Sequence, residues 1–328
     1  MLANDFAARD GILRVHLIGH GEEPPKSDAF LLEYNGSFTL IDGGLSGCPA
    51  SLEYLLNIRR KLLSVHSARQ EDTNCRLRIR VMISHCHRDH LGALVTHVFP
   101  SPFIEVEELY LPPDGGLDEK YGLSGDIQYR PGLHEAREKY QPNARVIDVA
   151  FGAENRLVVP MTADAGAPVI TLCPPWMNSA LPERVKLIGD ALKPGEENPQ
   201  LATMVTNNNS VWMHVRHGKR TFLFTGDTVK KKKPMGYEMP EEMIAAYADV
   251  LGQVDVVKFL HHGYKRNGAV DTVMSLSPRY VFVTTCLATA DSLLHERYPD
   301  CDIKTLNCGV TTYIFESDGE TLTVSPED

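Results

Sequence analysis

The sequence predicts an α/β protein built as a four-layer α/β/β/α sandwich, two mixed sheets with helices outside. Three observations predict it. Strand-like and helix-like runs alternate along the chain. Two hairpins are marked, by Asn35-Gly36 and by His217-Gly218, each between apolar runs. Several apolar strands end abruptly in Asp or His. With 328 residues and 43% apolar content, the chain can bury a sizeable core, and we read 1–328 as a single domain.

The elements follow in order. Residues 12–18 alternate apolar and polar side chains and read as a strand. Strands at 28–34 and 37–42 flank the Asn-Gly turn, and the second delivers Asp42 before Gly43-Gly44. Leu52, Leu55, Leu56, Ile58, Leu62 and Leu63 recur at helical spacing, which predicts a helix over 50–66. A strand over 77–83 runs straight into a histidine cluster, and a helix from Leu91 ends at Pro100. Next come a strand at 106–112, a loop at 113–131, a helix at 132–140, and strands at 144–149 and 168–172. The Pro- and Gly-bearing stretch from Pro174 to about Leu201 reads as irregular. Strands at 210–216 and 220–225 form the second hairpin, and the latter ends in Gly226-Asp227. A helix over 240–251 and strands at 254–260, 279–284 and 310–324 complete the chain.

Composition narrows the function classes. A net charge of -10 opposes general attraction to nucleic acid, leaving only a local basic patch for a polyanion. Seven cysteines, an odd number without a C-x-x-C pair, argue against a disulfide framework and for a reducing compartment. The first ten residues have no basic region followed by an apolar run, and no stretch reaches the roughly 20 apolar residues of a spanning helix. The expected location is the cytoplasm.

The sharpest signal is Ser84-His85-Cys86-His87-Arg88-Asp89-His90-Leu91-Gly92. Three imidazoles and a carboxylate fall within six residues, just after a buried strand. Imidazole and carboxylate donors suit zinc and its neighbours. Alternation puts His85 and His87 on one side of an extended segment, where both can grip one ion. After the turn, Asp89 and His90 can face a second position.

This H-x-H-x-D-H pattern resembles the signature of the metallo-β-lactamase superfamily, and the rest of the chain follows that family's motif order. Asp42 in Leu-Ile-Asp-Gly-Gly resembles its first motif, a carboxylate supporting the metal-binding histidines. Asp227 in Leu-Phe-Thr-Gly-Asp-Thr resembles the carboxylate that bridges two metals. His261-His262-Gly263 resembles the last motif. The resemblance implies that His85 and His87 bind one metal, that Asp89, His90 and His262 bind a second, and that Asp227 bridges them. His261 would then face substrate, and Asp89 would accept or orient the proton of the attacking water. Two zinc ions (Zn2+) are implied, with Mn2+ or Fe2+ also suited to the donors. The family's third-motif His is absent. Thr206-Asn207-Asn208-Asn209-Ser210 stands there instead, and Asn207 or Asn208 is the candidate oxygen donor.

The series Asn-Asn-Asn-Ser-Val, hairpin, Phe-Leu-Phe-Thr-Gly-Asp and Val-Val-Lys-Phe-Leu-His-His-Gly is similar to one branch of that superfamily. That branch holds the domain of bacterial competence DNA-uptake channels and the phosphorylcholine esterases, and it implies a phosphodiesterase or nuclease. Its Gly-Gln-Gly-Asp turn is replaced here by the longer, more acidic run from Gly19 to Asp28, and Tyr264 stands where Ser is usual. Lys230 and Lys231, opening a four-lysine run, are candidates to draw in an anionic, phosphate-containing substrate, nucleic acid included. Lys258, Lys265 and Arg266 flank the last motif, where they can reach phosphate oxygens or solvent, and Asn207 is a further candidate substrate contact. The alternatives are hydrolysis of a small thioester, lactone or lactam, and a non-catalytic binding module with weakened metal sites.

Overall fold

The computed structural model describes residues 2–20, 27–64, 74–114, 130–177, 199–230, 239–263, 269–285, 291–308 and 311–327. Asn35 and Gly36 both take positive φ (47° and 83°), as a two-residue hairpin loop requires, and pair Tyr34 with Ser37. The hairpin joins β2 (Phe30–Tyr34) to β3 (Ser37–Ile41). With β1 (Leu13–Leu17), β4 (Leu77–Met82), β5 (Ile104–Leu111), β6 (Arg145–Asp148), β14 (Tyr313–Ser317) and β15 (Leu322–Pro326), these form one mixed sheet. Its order is β15-β14-β1-β2-β3-β4-β5-β6. A second sheet contains β7 (Leu157–Pro160), β8 (Val169–Cys173), β9 (Trp212–His217), β10 (Arg220–Phe224), β11 (Val256–Lys258), β12 (Tyr280–Val283) and β13 (Lys304–Asn307). Its order is β13-β12-β11-β10-β9-β8-β7.

Three apolar clusters define the layers. Outside the first sheet, Leu55 and Ile58 of helix Ala50–Ser64 and Leu133 of helix Arg130–Tyr140 pack on Leu40, Ile79, Val81 and Leu109. Outside the second, Met243 of helix Met239–Ala246 and Val270 and Val273 of helix Val270–Met274 pack on Trp212, Leu223, Val257 and Val281. Between the sheets, Val15, Phe30, Leu32 and Met82 face Met213, Val215, Phe222, Phe224 and Phe282. The α/β/β/α order expected from the sequence is therefore the order found. Phe30 lies 4.9 Å from Phe224 and 5.5 Å from Phe282, ring centre to ring centre, and ties the sheets together. Each such buried aromatic contributes about 1.5–3 kcal/mol.

Some boundaries differ from the sequence reading. The helix after the histidine cluster starts at Arg88, so Asp89 and His90 lie in its first turn. The expected strand over 310–324 is two strands, parted where Gly319 turns with φ 91°. The helix expected over 240–251 is broken into Met239–Ala246 and Ala248–Leu251. The irregular stretch before residue 201 gives way to a helix, Pro199–Asn208. Six cysteines among the described residues are free thiols. No helix among them is long and apolar enough to cross a membrane.

Candidate metal centre

The site forms where β3, β4, β10, β11 and β12 all end. Asp42 follows β3 at φ 55°, a left-handed conformation that turns its carboxylate across to β4. Its Oδ1 accepts the Ser84 N–H at 2.8 Å, and its Oδ2 accepts the Ser84 hydroxyl at 2.7 Å and His90 Nδ1 at 2.8 Å. Asp42 therefore fixes the His90 ring and leaves Nε2 directed elsewhere. A carboxylate behind a ligating imidazole sets both its orientation and its tautomer.

His90 Nε2 lies 3.3 Å from Asp227 Oδ1. The other oxygen, Asp227 Oδ2, lies 2.9 Å from His262 Nε2, 3.6 Å from His261 Nε2 and 3.9 Å from His85 Nε2. Asp89 Oδ2 is 3.4 Å from His262 Nε2, and His87 Nδ1 is 3.1 Å from His85 Nε2. His85, His87, Asp89, His90, Asp227 and His262 thus meet in one pocket. Between the two neighbours of the last motif, His262 is fully buried and points inward, whereas the His261 side chain keeps 21% of its surface exposed. His261, His262 and Gly263 all take positive φ (46°, 58° and 86°). Two non-glycine residues in this region cost about 1–2 kcal/mol each. The turn is held by His261 N–H on Gly226 O and by Thr284 N–H on His262 O. Gly263 has no substitute here, because a Cβ would stand 2.3 Å from Val283 Cγ1.

One residue missed in the sequence, Asp28, and one given another role there, Lys258, complete the pocket. Asp28, just before β2, accepts His262 Nδ1 at 3.0 Å on Oδ1 and lies 2.7 Å from Lys258 Nζ through Oδ2. Asp28, His90, Asp227 and His262 form a fully buried quartet whose donor atoms all lie within 4.8 Å of one another, an arrangement that can hold a metal ion. Asp28 Oδ1 is engaged by His262 and Oδ2 is ion-paired with Lys258, so within that quartet we assign it the support role for His262 that Asp42 plays for His90. Its only trace in the sequence was its place in the acidic turn after Gly19. Lys258 corrects the expectation of a head in solvent or on substrate. It is fully buried, and its ammonium meets Gly226 O at 2.6 Å and Asp227 Oδ1 at 3.2 Å besides Asp28.

The remaining candidates lie as follows. Asn207 and Asn208 are buried at the end of helix Pro199–Asn208. Asn208 Oδ1 accepts the Val229 N–H at 2.9 Å, so its oxygen is engaged. Asn207 Oδ1 has no hydrogen-bond partner among the described residues. The segment abuts the site, since Ser210 Oγ donates to Asn207 O and accepts the Asp227 N–H at 3.1 Å. Lys230 is paired with Glu241 and with Thr272. Lys231, Lys265, Tyr264 and Arg266 lie outside the described residues.

Electrostatics separate the histidines. Burial opposes charge on His90, but Asp227, Asp28 and Asp42 outweigh it and raise its pKa to about 10. His262 moves well upward against the same burial cost, through Asp227 and Asp28. His85 moves well down, from burial first and then from neighbouring His90 and His87. Asp227 stays ionised far below the usual range because His262, His90 and Lys258 overcome its burial. A cluster of nitrogen and oxygen donors with ionised carboxylates fits a zinc-type divalent ion.

The helix that follows the histidine cluster is tightly packed. Gly92 passes so close to the opposite loop that a Cβ would stand 2.4 Å from Ser46 N. We expect Gly92→Ala to lower stability by about 1–3 kcal/mol, since backbone must move to make room. Urea unfolding checks this, and an unchanged midpoint would show that the contact relaxes freely.

No family profile matches the sequence, and no curated protein sequence matches it. Among solved structures, the chain is similar to the metallo-β-lactamase fold protein YhfI from Bacillus subtilis. Identity is 13%, coverage 93% of this chain and 100% of that one, and TM-score 0.46. It is similar also to zinc-bound PqqB from Methylobacterium extorquens (11% identity, 91% and 99% coverage, TM-score 0.46). A diphosphatase of the PhnP family is a third (12% identity, 89% and 94% coverage, TM-score 0.42). These are likenesses of chain path. The two-sheet architecture described above is a four-layer α/β/β/α sandwich.

Proposed function

We propose that this chain is a metal-dependent hydrolase of ester bonds, acting on a phosphodiester as a phosphodiesterase or nuclease. One observation carries the reading. His85, His87, Asp89, His90, Asp227 and His262 converge on one pocket although they come from three separate chain segments. Such convergence of ionisable groups is costly to bury without a ligand that uses it.

In this reading the donors divide into two sets, His85 with His87 and Asp89 with His90 and His262, with Asp227 shared between them. That division suits two ions, each a Lewis acid for water and for the ester oxygen when bound. The chain's own groups do the rest. Asp89 is placed to take the proton of the attacking water. His261, partly exposed beside Asp227, is placed to donate a proton to the departing oxygen. Asn207, whose carbonyl oxygen has no hydrogen-bond partner among the described residues, is the candidate oxygen donor in place of the third-motif His. An anionic, phosphate-containing partner follows from this chemistry. Lys230 need not take part, since Glu241 already balances it.

The test is a panel of bis-p-nitrophenyl phosphate, nitrocefin and a small thioester with zinc- or manganese-loaded protein. We expect turnover on the phosphodiester, lost in Asp89→Ala and after chelation. Turnover on nitrocefin or the thioester alone would replace the phosphodiester reading, and no turnover with no bound metal would remove the enzyme reading.

A further inference from the structure

We propose that Lys258 is a positioning residue of the metal pocket, which pins one oxygen of Asp227 so that the other is the one presented to the imidazoles of His85, His261 and His262. This rests on the metal-centre reading given under Proposed function. An ammonium has three N–H donors, and Lys258 Nζ donates to Gly226 O at 2.6 Å and to Asp227 Oδ1 at 3.2 Å while pairing ionically with Asp28 Oδ2 at 2.7 Å. The side chain is fully buried, so none of these donors is shared with water or substrate.

The carbonyl of Gly226 fixes the ammonium to the backbone just before Asp227, and Asp28 fixes it from the opposite sheet. With both anchors in place, Asp227 Oδ1 has a preferred seat, and rotation of the carboxylate away from it would strand a buried charge. Asp227 Oδ2 is thereby left facing His262 Nε2 at 2.9 Å, His261 Nε2 at 3.6 Å and His85 Nε2 at 3.9 Å. Asp28 couples the same device to a second donor, because its Oδ1 holds His262 Nδ1. One carboxylate and one ammonium thus set the aim of Asp227 and His262 together. Lys258 touches no reacting atom in this scheme. Its effect runs through the donors it holds.

Cobalt(II) substitution tests the proposal, because its visible absorption falls as coordination number rises. With Lys258→Met the carboxylate is free to offer both oxygens. We expect a severalfold drop in visible absorptivity together with about 10- to 100-fold weaker cobalt binding, the usual scale for losing a partner behind a ligand. Lys258→Met leaves Asp28 buried without its partner, so Asp28→Asn/Lys258→Met, which removes both charges, is measured alongside in case the single variant does not fold. Folded variants with the wild-type spectrum overturn the proposal, whether binding is weakened or not. Wild-type protein that takes up no cobalt overturns the metal-centre reading itself, and this proposal with it.

Discussion

Asp227→Asn is expected to abolish metal-dependent turnover, lowering kcat/KM on the order of 10^4-fold, the scale for removing one member of a set that acts as a unit. Asp227 sits at the crossing of every line in the site. One oxygen faces His90 and Lys258, and the other faces His262, His261 and His85. Asparagine keeps the shape but replaces an ionised carboxylate with a neutral amide, and turns an NH2 group toward either the imidazoles or the ammonium. Metal content should fall along with rate. Fold should survive, because Lys258 keeps its ion pair with Asp28. Kinetics and metal analysis on the same preparation decide it. A variant within tenfold of wild type would remove Asp227 from the chemistry.

The second large effect is on stability in acid. His20 and His214 are both buried, and burial lowers each pKa from 6.5 to about 4, against the pull of Asp28 on His20 and with the push of Arg216 on His214. The unfolded chain therefore binds protons at these positions that the native chain refuses. Their contribution is fully present above pH 6.5 and is lost as pH falls through 4. A shift of this size corresponds to about 3 kcal/mol for each ring, a large share of the roughly 5–15 kcal/mol that holds a domain together. His85, shifted down as well, acts in the same sense. His90 and His262, shifted up, act in the opposite sense, because the native chain already holds protons there that the unfolded chain takes up only as pH falls through about 6.5, so they offset part of the fall. Urea unfolding of metal-free protein at about pH 7 and pH 4.5 should show a fall of several kcal/mol, reduced in His20→Asn/His214→Gln. Equal stability at the two pH values would sink the idea.

Much of this was legible in the sequence wherever the signal is local. Asn35-Gly36 dictates its own turn, and His85 to His90 carries a spacing that only a strand end followed by a helix start can use. Asp227 and His262 were readable through the family resemblance in motif order, each after an apolar strand. The misses have physical reasons. Asp28 earns its role from His262, 234 positions away, and nothing in its own neighbourhood announces that partner. Lys258 looked like a surface lysine because the depth of a strand's last residue is set by the opposite sheet. β7 and β13 escaped because they are short, four-residue edge strands, and β7 leaves Val158 62% exposed, so neither shows a buried apolar stripe. Asn208 had the right residue type for a donor, but the Val229 N–H claims its oxygen, a competition visible only in three dimensions.

The aromatic trio between the sheets has a consequence for how this protein can change. Phe30 lies two residues after Asp28, Phe224 three before Asp227, and Phe282 two before Thr284. Each ring stands two or three residues along the chain from Asp28, Asp227 or Thr284, so a change in how the two sheets pack is expected to reach the site through these short segments. A repacking that a purely structural core would tolerate is transmitted here as a displacement of donors that must stay aligned. Substitution at these three positions is therefore expected to disturb the site as well as the core, and an engineer wishing to retune the pocket has a handle that touches no polar atom.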